Sequence, residues 1–498
     1  MIPQKLNAVD LTIIRCKKEI GKMKKTAIIS IAIVFVLMTT TFAVLPKATA
    51  DVPIIDGTSA RLRDNVYPKK TVELSAAELD ATPSDPVPFN VDMVNAETTT
   101  NDGTGIYVAV LDTGLLTNYL NFFPPSMVDI KEEWGIGFTH DLIWKGSGGN
   151  WSNEFDYGPL RSDRGFITHD MYTPDKYGFG WGSGHGTHVT SIVTGYHFWR
   201  GSVNTWIAGV APKVTIIPVL VLDDWIEFNP DFTEGWFFRG GTDEMVAAGI
   251  RYIGWLAETY HVKIVINMSL GGPGYVQEEL DAVNYAIEQG VIIVASAGNE
   301  GYDGMGWPGA FPQVISAAAA GWTQEYGGGY YDYYWWWRDV PEKLNTNNYV
   351  YDLTTGATYK NNWQTYLTDF SSRANKALGQ SWKDLDVAAP GCAIRGPYKG
   401  YGSGKWGFYA VWGTSQAAPH VSGTAALVAQ THPNLMQAEM ERILKKAATR
   451  IPMPADGAIV SDVFGAPAPP YPVWPYYWND HDAGCGFLTV DEALKIAG

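Results

Sequence analysis

The chain has 498 residues, of which 46% are hydrophobic and 18% are charged, a composition that excludes a disordered or fibrous protein. The 52 acidic residues outnumber the 36 lysines and arginines, which gives a net charge of −16 and a pI of about 5.0. So acidic a chain offers no basic face to a phosphate backbone, and we expect no nucleic-acid partner.

The first 50 residues have the pattern of an export signal. Lysines precede an apolar run at 27–45, and the small residues Ala-Thr-Ala end the segment at Ala50. This order predicts a signal peptide over residues 1–50, cleavage after Ala50, and a secreted, extracellular protein. Met23 offers a second, later start for a more compact signal. The alternative is an uncleaved N-terminal anchor, because the apolar run is nearly long enough to span a bilayer.

The rest of the chain divides into a short segment and one large domain. Residues 51–88 are polar and interrupted by prolines, which is typical of a short propeptide or linker. Within residues 89–498, apolar runs alternate with helical segments, which predicts an α/β fold with a doubly wound, mainly parallel sheet and helices on both faces. The predicted strands are 106–111, 214–222, 263–268, 291–295 and 314–319, and the predicted helices are 185–194, 242–260, 277–288, 415–430 and 437–448.

Three stretches rich in glycine, proline and aromatic residues interrupt this alternation, at about 115–180, 322–363 and 452–482. No fixed-period repeat connects them, so they are predicted as loop insertions in a single domain. The second contains an aromatic run at 330–337. Packing inside the insertion is the preferred interpretation of this run, and a platform for substrate or glycan is the alternative.

Two polar motifs in the first half of the chain lie where ligands collect in such sheets. Asp112 directly follows the strand at 106–111, and binding sites form at the carboxyl ends of parallel strands. In Gly-His-Gly-Thr-His-Val at 184–189, His185 begins a helix between glycines that permit close approach. A zinc site with His188 is not indicated, because the zincin motif needs a glutamate and a four-residue step.

Two more motifs follow in the second half. Ser415 lies in Gly-Thr-Ser-Gln-Ala-Ala-Pro-His at 413–420, at a turn before a helix whose first turn holds Pro419. Taken alone, Ser415 is more often a simple N-cap. Asn299 stands just beyond the strand at 291–295, where it fits either a turn cap or a donor to an oxyanion. The order Asp, His, Asn, Ser favours one shared site.

These four motifs resemble those of the subtilisin-like serine peptidase family. The resemblance extends from about residue 90 to the C-terminus and implies a catalytic triad of Asp112, His185 and Ser415. Further segments similar to the family are its substrate-binding strand, the segment beside its specificity pocket, the stretch before its nucleophile loop, and its terminal strand and helix, here at 267–272, 307–309, 385–391 and 484–494.

The resemblance also implies roles for other residues. Asn299 would donate a hydrogen bond in the oxyanion hole. The backbone of Ser269, Leu270 and Gly271 would pair with an extended peptide substrate as an added strand. Gly306 would form the base of the S1 pocket, where the missing side chain leaves room for a large apolar P1 residue.

Cofactors are not required for the chemistry that the resemblance implies. Metal ligands are unknown from the sequence, and structural calcium stays open because scattered oxygen ligands leave no signature. The asparagine-rich calcium loop of many relatives is not apparent, and residues 196–204 are aromatic instead.

Two cysteines follow the predicted signal, Cys392 and Cys485. An oxidising compartment favours a disulfide between them, but the sequence does not give their separation. A disulfide and two separate thiols therefore both remain open.

The sequence thus predicts a secreted serine endopeptidase that hydrolyses protein or peptide substrates through an acyl-enzyme intermediate and has no membrane partner after signal cleavage. One alternative is a narrow-specificity processing protease or exopeptidase in which the insertions roof the cleft. The other is a non-catalytic binding or adhesion protein that keeps the fold.

Overall fold

A computed structural model describes residues 70–73, 87–144, 155–163, 165–168, 184–200, 203–228, 235–322, 348–351, 358–361, 365–399, 406–451 and 478–498. The predicted signal peptide and the aromatic run at 330–337 lie outside these residues. Within the described residues, no helix combines the length and the apolar character that crossing a membrane requires.

The described part of the chain contains twenty strands and eight α-helices. In chain order the strands are β1 (Lys70–Glu73), β2 (Tyr107–Asp112), β3 (Asp129–Ile130), β4 (Ile136–Gly137), β5 (Thr139–Trp144), β6 (Phe155–Arg161), β7 (Gly195–Arg200), β8 (Val203–Ala208), β9 (Thr215–Leu220), β10 (Asp223–Phe228), β11 (Gly235–Gly240), β12 (Ile264–Met268), β13 (Ile292–Ser296), β14 (Ile315–Trp322), β15 (Asn348–Tyr351), β16 (Thr358–Asn361), β17 (Thr365–Leu367), β18 (Val387–Pro390), β19 (Ile394–Lys399) and β20 (Trp406–Trp412). The α-helices are α1 (Phe89–Met93), α2 (Tyr119–Phe122), α3 (His185–Thr194), α4 (Asp243–Tyr260), α5 (Gln277–Glu288), α6 (Thr414–Thr431), α7 (Gln437–Ala447) and α8 (Val490–Ala497).

A mainly parallel sheet forms the centre of the domain. Its strands lie in the order β17-β14-β13-β12-β2-β9-β3, with β18 also paired to β14 and β4 also paired to β9. Every neighbouring pair is parallel except β14 and β17. Strands β12, β13 and β14 are buried along their whole length, as expected for continuous apolar runs in a covered parallel sheet. The α/β prediction is confirmed.

The helices that carry the sequence motifs pack on this sheet. Helix α6 contacts β12, β13 and β14 and also packs against α3, while α4 and α5 pack on each other and on β2, β12 and β13. Helices α3 and α5 have the predicted bounds. Helix α4 begins one residue later than predicted, because Thr242 is its N-cap and accepts a hydrogen bond from the Met245 amide.

Among the described residues, five antiparallel hairpins lie outside the predicted strands, and two of them, β5–β6 and β15–β16, lie in predicted loop insertions. The five are β5–β6, β7–β8, β10–β11, β15–β16 and β19–β20. The described part of the first insertion contains α2 and strands β3 to β6. The aromatic stretch where many relatives would have a calcium loop forms β7–β8, directly after α3.

Aromatic rings hold the β7–β8 hairpin against β20. The ring centroid of Phe408 in β20 lies 4.7 Å from that of Phe198 and 5.8 Å from that of Trp199 in β7. Phe122 of α2 lies 5.4 Å from Trp199 and 6.0 Å from Phe408. These tilted and edge-on arrangements are the favourable ones for aromatic pairs. We call Phe122, Phe198, Trp199 and Phe408 the aromatic cluster.

Strand β1 comes from the segment predicted as a propeptide or linker, and it pairs antiparallel with β20. Lys70 lies opposite Trp412 and Glu73 opposite Tyr409. Because β20 also pairs with β19, it is the central strand of a three-stranded sheet. The interpretation of residues 51–88 as a short propeptide or linker stays a prediction.

Cys392 and Cys485 do not form a disulfide with each other in this structure. The Cys485 amide donates to the carbonyl of Asp386, just before β18, whereas Cys392 lies after β18 with its sulfur 3.2 Å from the Tyr366 hydroxyl. A strand rises about 3.3 Å per residue, so β18 separates the two cysteines by more than the roughly 7 Å between Cα atoms that a disulfide tolerates. Two separate thiols are therefore the outcome.

Candidate active site

A buried carboxylate and a buried imidazole meet at the carboxyl end of β2. Nδ1 of His185 lies 2.8 Å from Oδ1 and 2.9 Å from Oδ2 of Asp112, and both side chains are fully buried. The Thr113 amide donates to Oδ1 of Asp112 at 2.7 Å, which fixes the carboxylate. The pair therefore has one orientation, set by the strand end and the start of α3.

The glycines on either side of His185 are required by close packing. A Cβ atom on Gly184 would lie 2.2 Å from the amide nitrogen of Lys399 in β19, and one on Gly186 would lie 2.3 Å from the carbonyl oxygen of Gly114. Both distances are shorter than any side chain permits, and both neighbours are backbone atoms. The first turn of α3 thus packs closely against the turn after β2 on one side and against the β19–β20 hairpin on the other.

Ser415 lies inside the first turn of α6 and is not its N-cap, which is Gly413. The N-cap interpretation of Ser415 is therefore wrong. Its hydroxyl donates to the carbonyl of Ser269 at 3.1 Å, and the Ser269 hydroxyl donates to the carbonyl of Ser415 at 2.7 Å. These two bonds fix the start of α6 to the end of β12.

Pro419 explains why the Ser415 carbonyl accepts a side-chain hydroxyl. The predicted place of Pro419 in the first turn is wrong, because α6 begins at Thr414 and Pro419 is its sixth residue. A proline has no N–H to donate to the carbonyl four residues earlier, which here is that of Ser415. The Ser269 hydroxyl takes the place of that missing helical hydrogen bond.

The Asn299 side chain is oriented by Thr414. Its Oδ1 accepts from the Thr414 amide at 2.9 Å and from the Thr414 hydroxyl at 3.0 Å. Because Oδ1 of Asn299 accepts both of these hydrogen bonds, Nδ2 is directed away from Thr414. Nδ2 of Asn299 and the amide nitrogen of Ser415 lie 3.7 and 3.6 Å from one point, the place of a Cβ on Gly413. Both nitrogen atoms therefore lie near the same point beside Ser415.

The proposed substrate strand follows β12 at the same edge of the sheet. Leu270 is buried, and its carbonyl accepts from the Ser296 hydroxyl at 3.1 Å. Gly272 and Trp307 form an antiparallel bridge, with backbone hydrogen bonds of 2.8 and 2.9 Å. Beside it, the Gly306 amide donates to the Ala297 carbonyl at 2.9 Å. The segments containing Gly271 and Gly306 thus border the turn that carries Asn299.

His188 is packed apart from this chemistry. It is fully buried, its Nε2 lies 3.2 Å from the Ile394 carbonyl oxygen in β19, and its ring packs edge-on against Tyr398. A carbonyl only accepts, so Nε2 carries the proton. Burial lowers the pKa of His188 to about 3. The described residues contain no group of three or more His, Cys, Asp or Glu side chains arranged to hold a metal, and calcium on other oxygen ligands stays a prediction.

Two residues of the site, Thr414 and Gln416, and the hydroxyl role of Ser269 were not singled out from the sequence. Thr414 orients Asn299, Ser269 contributes its hydroxyl as well as its backbone, and Gln416 is buried beside Ser415. Thr414 and Gln416 both stand in the motif at 413–420, directly beside Ser415. Their proximity to Ser415 is the signal that the sequence offers, but Asn299, the partner of Thr414, lies 115 residues away in the sequence.

Comparisons with known proteins show which family the chain resembles. The model of the Subtilase family matches residues 103–466. Subtilisin of Bacillus sp. (strain TA39) is 28% identical over 404 residues, which cover 79% of this chain and 69% of that protein. Fervidolysin of Fervidobacterium pennivorans is 29% identical over 331 residues, 63% of this chain and 35% of that protein.

Two solved structures are also similar to the chain. Sphericase is 24% identical with a TM-score of 0.44, covering 74% of this chain and 91% of that one. The S41 psychrophilic protease is 23% identical with a TM-score of 0.46, and the match covers 82% of this chain and 100% of that one.

The segment that matches the family model covers most of the chain. It includes the buried pair Asp112 and His185, the turn with Asn299, and Ser415 at the start of α6. The chain therefore belongs to the subtilase family and is a subtilisin-like serine protease.

Proposed function

We propose that the protein is a secreted serine endopeptidase in which Asp112, His185 and Ser415 form the catalytic triad. The observation that carries the proposal is the contact of both Asp112 oxygens with Nδ1 of His185 in a fully buried pair. An ionised carboxylate only accepts hydrogen bonds, so Nδ1 donates and the neutral imidazole keeps its lone pair on Nε2. That nitrogen is then the general base for a serine hydroxyl.

The reaction follows from these roles. Oγ of Ser415 attacks the carbonyl carbon of the substrate and passes its proton to Nε2 of His185. Nε2 then gives this proton to the leaving amine as the C–N bond breaks, which leaves an acyl group on Ser415. Water hydrolyses the acyl-enzyme by the same sequence of transfers. Asp112 stays ionised and stabilises the imidazolium.

We assign the oxyanion hole to Nδ2 of Asn299 and the backbone amide of Ser415. Both lie near one point beside Ser415, and Thr414 holds the Asn299 amide by its oxygen. The start of α6 adds the positive end of a helix dipole. Loss of one such donor in a subtilisin costs about 2.7 to 4 kcal/mol of transition-state stabilisation, and we carry this figure over by family.

Substrate binding is proposed along the backbone of Ser269, Leu270 and Gly271. The bridge between Gly272 and Trp307 and the burial of Leu270 hold this segment in place at the sheet edge. Main-chain pairing with an extended peptide gives affinity with little sequence preference. Gly306 supports an S1 pocket that accepts large apolar side chains.

The test is intact-mass analysis of the exported protein after reaction with a fluorophosphonate. We expect one covalent adduct on the wild type and none on Ser415→Ala. His185→Gln should lose the adduct, whereas His188→Gln, the matched change in the same helix, should keep it. The mass of unreacted protein also gives the mature N-terminus, predicted at Asp51. A folded wild type without adduct, or an adduct on Ser415→Ala, would contradict the proposal.

Digestion of an unfolded protein separates the endopeptidase from the narrow-specificity alternative. An endopeptidase with backbone recognition produces internal fragments from many sites. Release of terminal residues alone, or cleavage of short peptides only, would favour an exopeptidase or a processing protease.

A further inference from the structure

The residue after Ser415 carries a buried amide with no protein partner. Gln416 is the third residue of α6, and its side chain is fully buried. Within the described parts of the chain, neither Oε1 nor Nε2 of Gln416 has a hydrogen-bond partner. Buried side-chain amides in proteins are nearly always hydrogen-bonded, so an amide left in this state at an active site requires a reason.

The Gln416 amide lies beside the two proposed oxyanion donors. Three atoms are nearest to the place of a Cβ on Gly413: Oε1 of Gln416 at 2.9 Å, the amide nitrogen of Ser415 at 3.6 Å and Nδ2 of Asn299 at 3.7 Å. The end of the Gln416 side chain therefore lies near the same point as those two N–H groups.

We propose that Gln416 is a third hydrogen-bond donor to the oxyanion. This inference rests on the proposed function, because it needs the tetrahedral intermediate to form on Ser415. No hydrogen bond fixes which end of the amide faces the site, and the two ends have nearly the same shape. When negative charge develops on the substrate oxygen, the amide turns Nε2 toward it.

The same arrangement explains why Asn299 and Gln416 differ. Thr414 holds Asn299 by Oδ1, so its donor is fixed before substrate arrives. Gln416 has no such partner in the described structure, so its hydrogen bond is made only when an oxyanion is present. An interaction made only in the transition state raises kcat and leaves KM unchanged.

The first test replaces Gln416 by methionine, which is unbranched and similar in size but donates no hydrogen bond. We expect Gln416→Met to lower kcat about 10- to 100-fold on a peptide substrate with little change in KM, the loss expected for a hydrogen bond to a charged group. Affinity for a peptide aldehyde, which forms a tetrahedral adduct, should fall in parallel. Gln416→Glu, which places a carboxylate beside the oxyanion, should lower kcat further.

A stability measurement separates this role from packing. In the inactive Ser415→Ala background, Gln416→Met removes a buried unpaired amide, so its melting midpoint should rise by roughly 1–3 °C. The matched control is Gln437→Met in α7, where the buried amide bonds the backbone of Ile293 and Gln313. That variant should lose stability and keep its kcat in the active background.

Two results would overturn the inference while leaving the proposed function intact. One is a Gln416→Met enzyme with wild-type kcat. The other is a variant whose kcat falls only because its stability falls too. A wild-type protein that neither turns over peptide nor reacts with the fluorophosphonate would instead refute the proposed function itself.

Discussion

The carboxyl edge of the parallel sheet and the β19–β20 hairpin lie on two sides of the site. They stabilise it through different kinds of contact. At the sheet edge, Asp112, Ser269 and Asn299 lie at or just beyond the ends of parallel strands. They contact α3 and α6 through hydrogen bonds. On the other side, β19 approaches α3 through backbone at Gly184, and β20 leads directly into α6. The aromatic cluster fills the space behind the hairpin.

Catalysis and stability should therefore depend on different contacts of the site. Polar contacts at the sheet edge orient reacting groups and bury little apolar surface, so changing them should affect kcat first. The hairpin and the aromatic cluster bury apolar side chains, so changing them should affect the free energy of unfolding first. The four predictions below test this division.

Asp112→Asn should have the largest effect, a loss of about 10⁴ in kcat. The amide cannot hold the required imidazole tautomer or stabilise the imidazolium. Peptide hydrolysis measures kcat, and denaturant unfolding should show a nearly unchanged midpoint. The control is Asp129→Asn, an exposed carboxylate on β3 that should leave kcat unchanged. A fall in stability that matches the fall in activity would break the comparison.

Phe408→Ala should lower the free energy of unfolding by about 3–5 kcal/mol, because it removes a buried ring from the aromatic cluster. Denaturant unfolding in the Ser415→Ala background measures this. Phe408→Leu should recover most of the loss. Trp406→Ala on the same strand, where the ring is 45% exposed, should cost less than half as much. Equal losses at 406 and 408 would contradict the role of the cluster.

Acid should destabilise the protein through His188 and His420. Burial lowers the pKa of His188 to about 3 and that of His420 to about 4, below the ordinary histidine value of 6.5. Between pH 6.5 and these lowered pKa values, each histidine is protonated in the unfolded chain but not in the folded protein. Stability is therefore complete above pH 6.5 and is lost as pH falls, by about 2 kcal/mol per histidine at pH 5.

Unfolding of the Ser415→Ala protein at pH 7.5 and pH 5 measures this loss. His188→Gln should reduce the difference between the two pH values. The control, His261→Asn, changes an exposed histidine in a left-handed conformation that asparagine tolerates, and it should not. An unchanged pH dependence in His188→Gln would show that this ring is not the source.

Thr414→Val should have the smallest effect, a loss of about tenfold in kcat with KM unchanged. It removes the hydroxyl contact with Oδ1 of Asn299 but keeps the Thr414 amide contact. The control is Thr424→Val, a buried threonine of the same helix whose hydroxyl bonds the His420 carbonyl. Loss of kcat in Thr424→Val as well would indicate a general effect on α6.

The sheet edge was predictable because its pattern is local. An apolar run followed by a polar residue marks the strand end at Asp112, and the same pattern precedes Asn299. The glycines beside His185 likewise indicate a close approach of backbone to the start of α3, which the contacts with Gly114 and Lys399 provide. These features depend on a few neighbouring residues.

The packing around the β19–β20 hairpin was not predictable, because it depends on contacts between residues that are distant in the sequence. The β7–β8 stretch has aromatic residues in succession and shows no clear alternation. The partners of its rings, Phe122 and Phe408, lie far away in the sequence. Contacts between such distant residues leave no periodic signal.

The pairing of β1 with β20 has a practical consequence for producing the protein. A fragment that begins at residue 103, where the family match starts, would lack β1 and leave β20 with an open edge. It would also lack Asn90, which bonds His420, and Phe89, which stacks on Trp322. Open strand edges recruit other chains, so such a fragment should self-associate, whereas one that keeps residue 70 onward should stay dispersed.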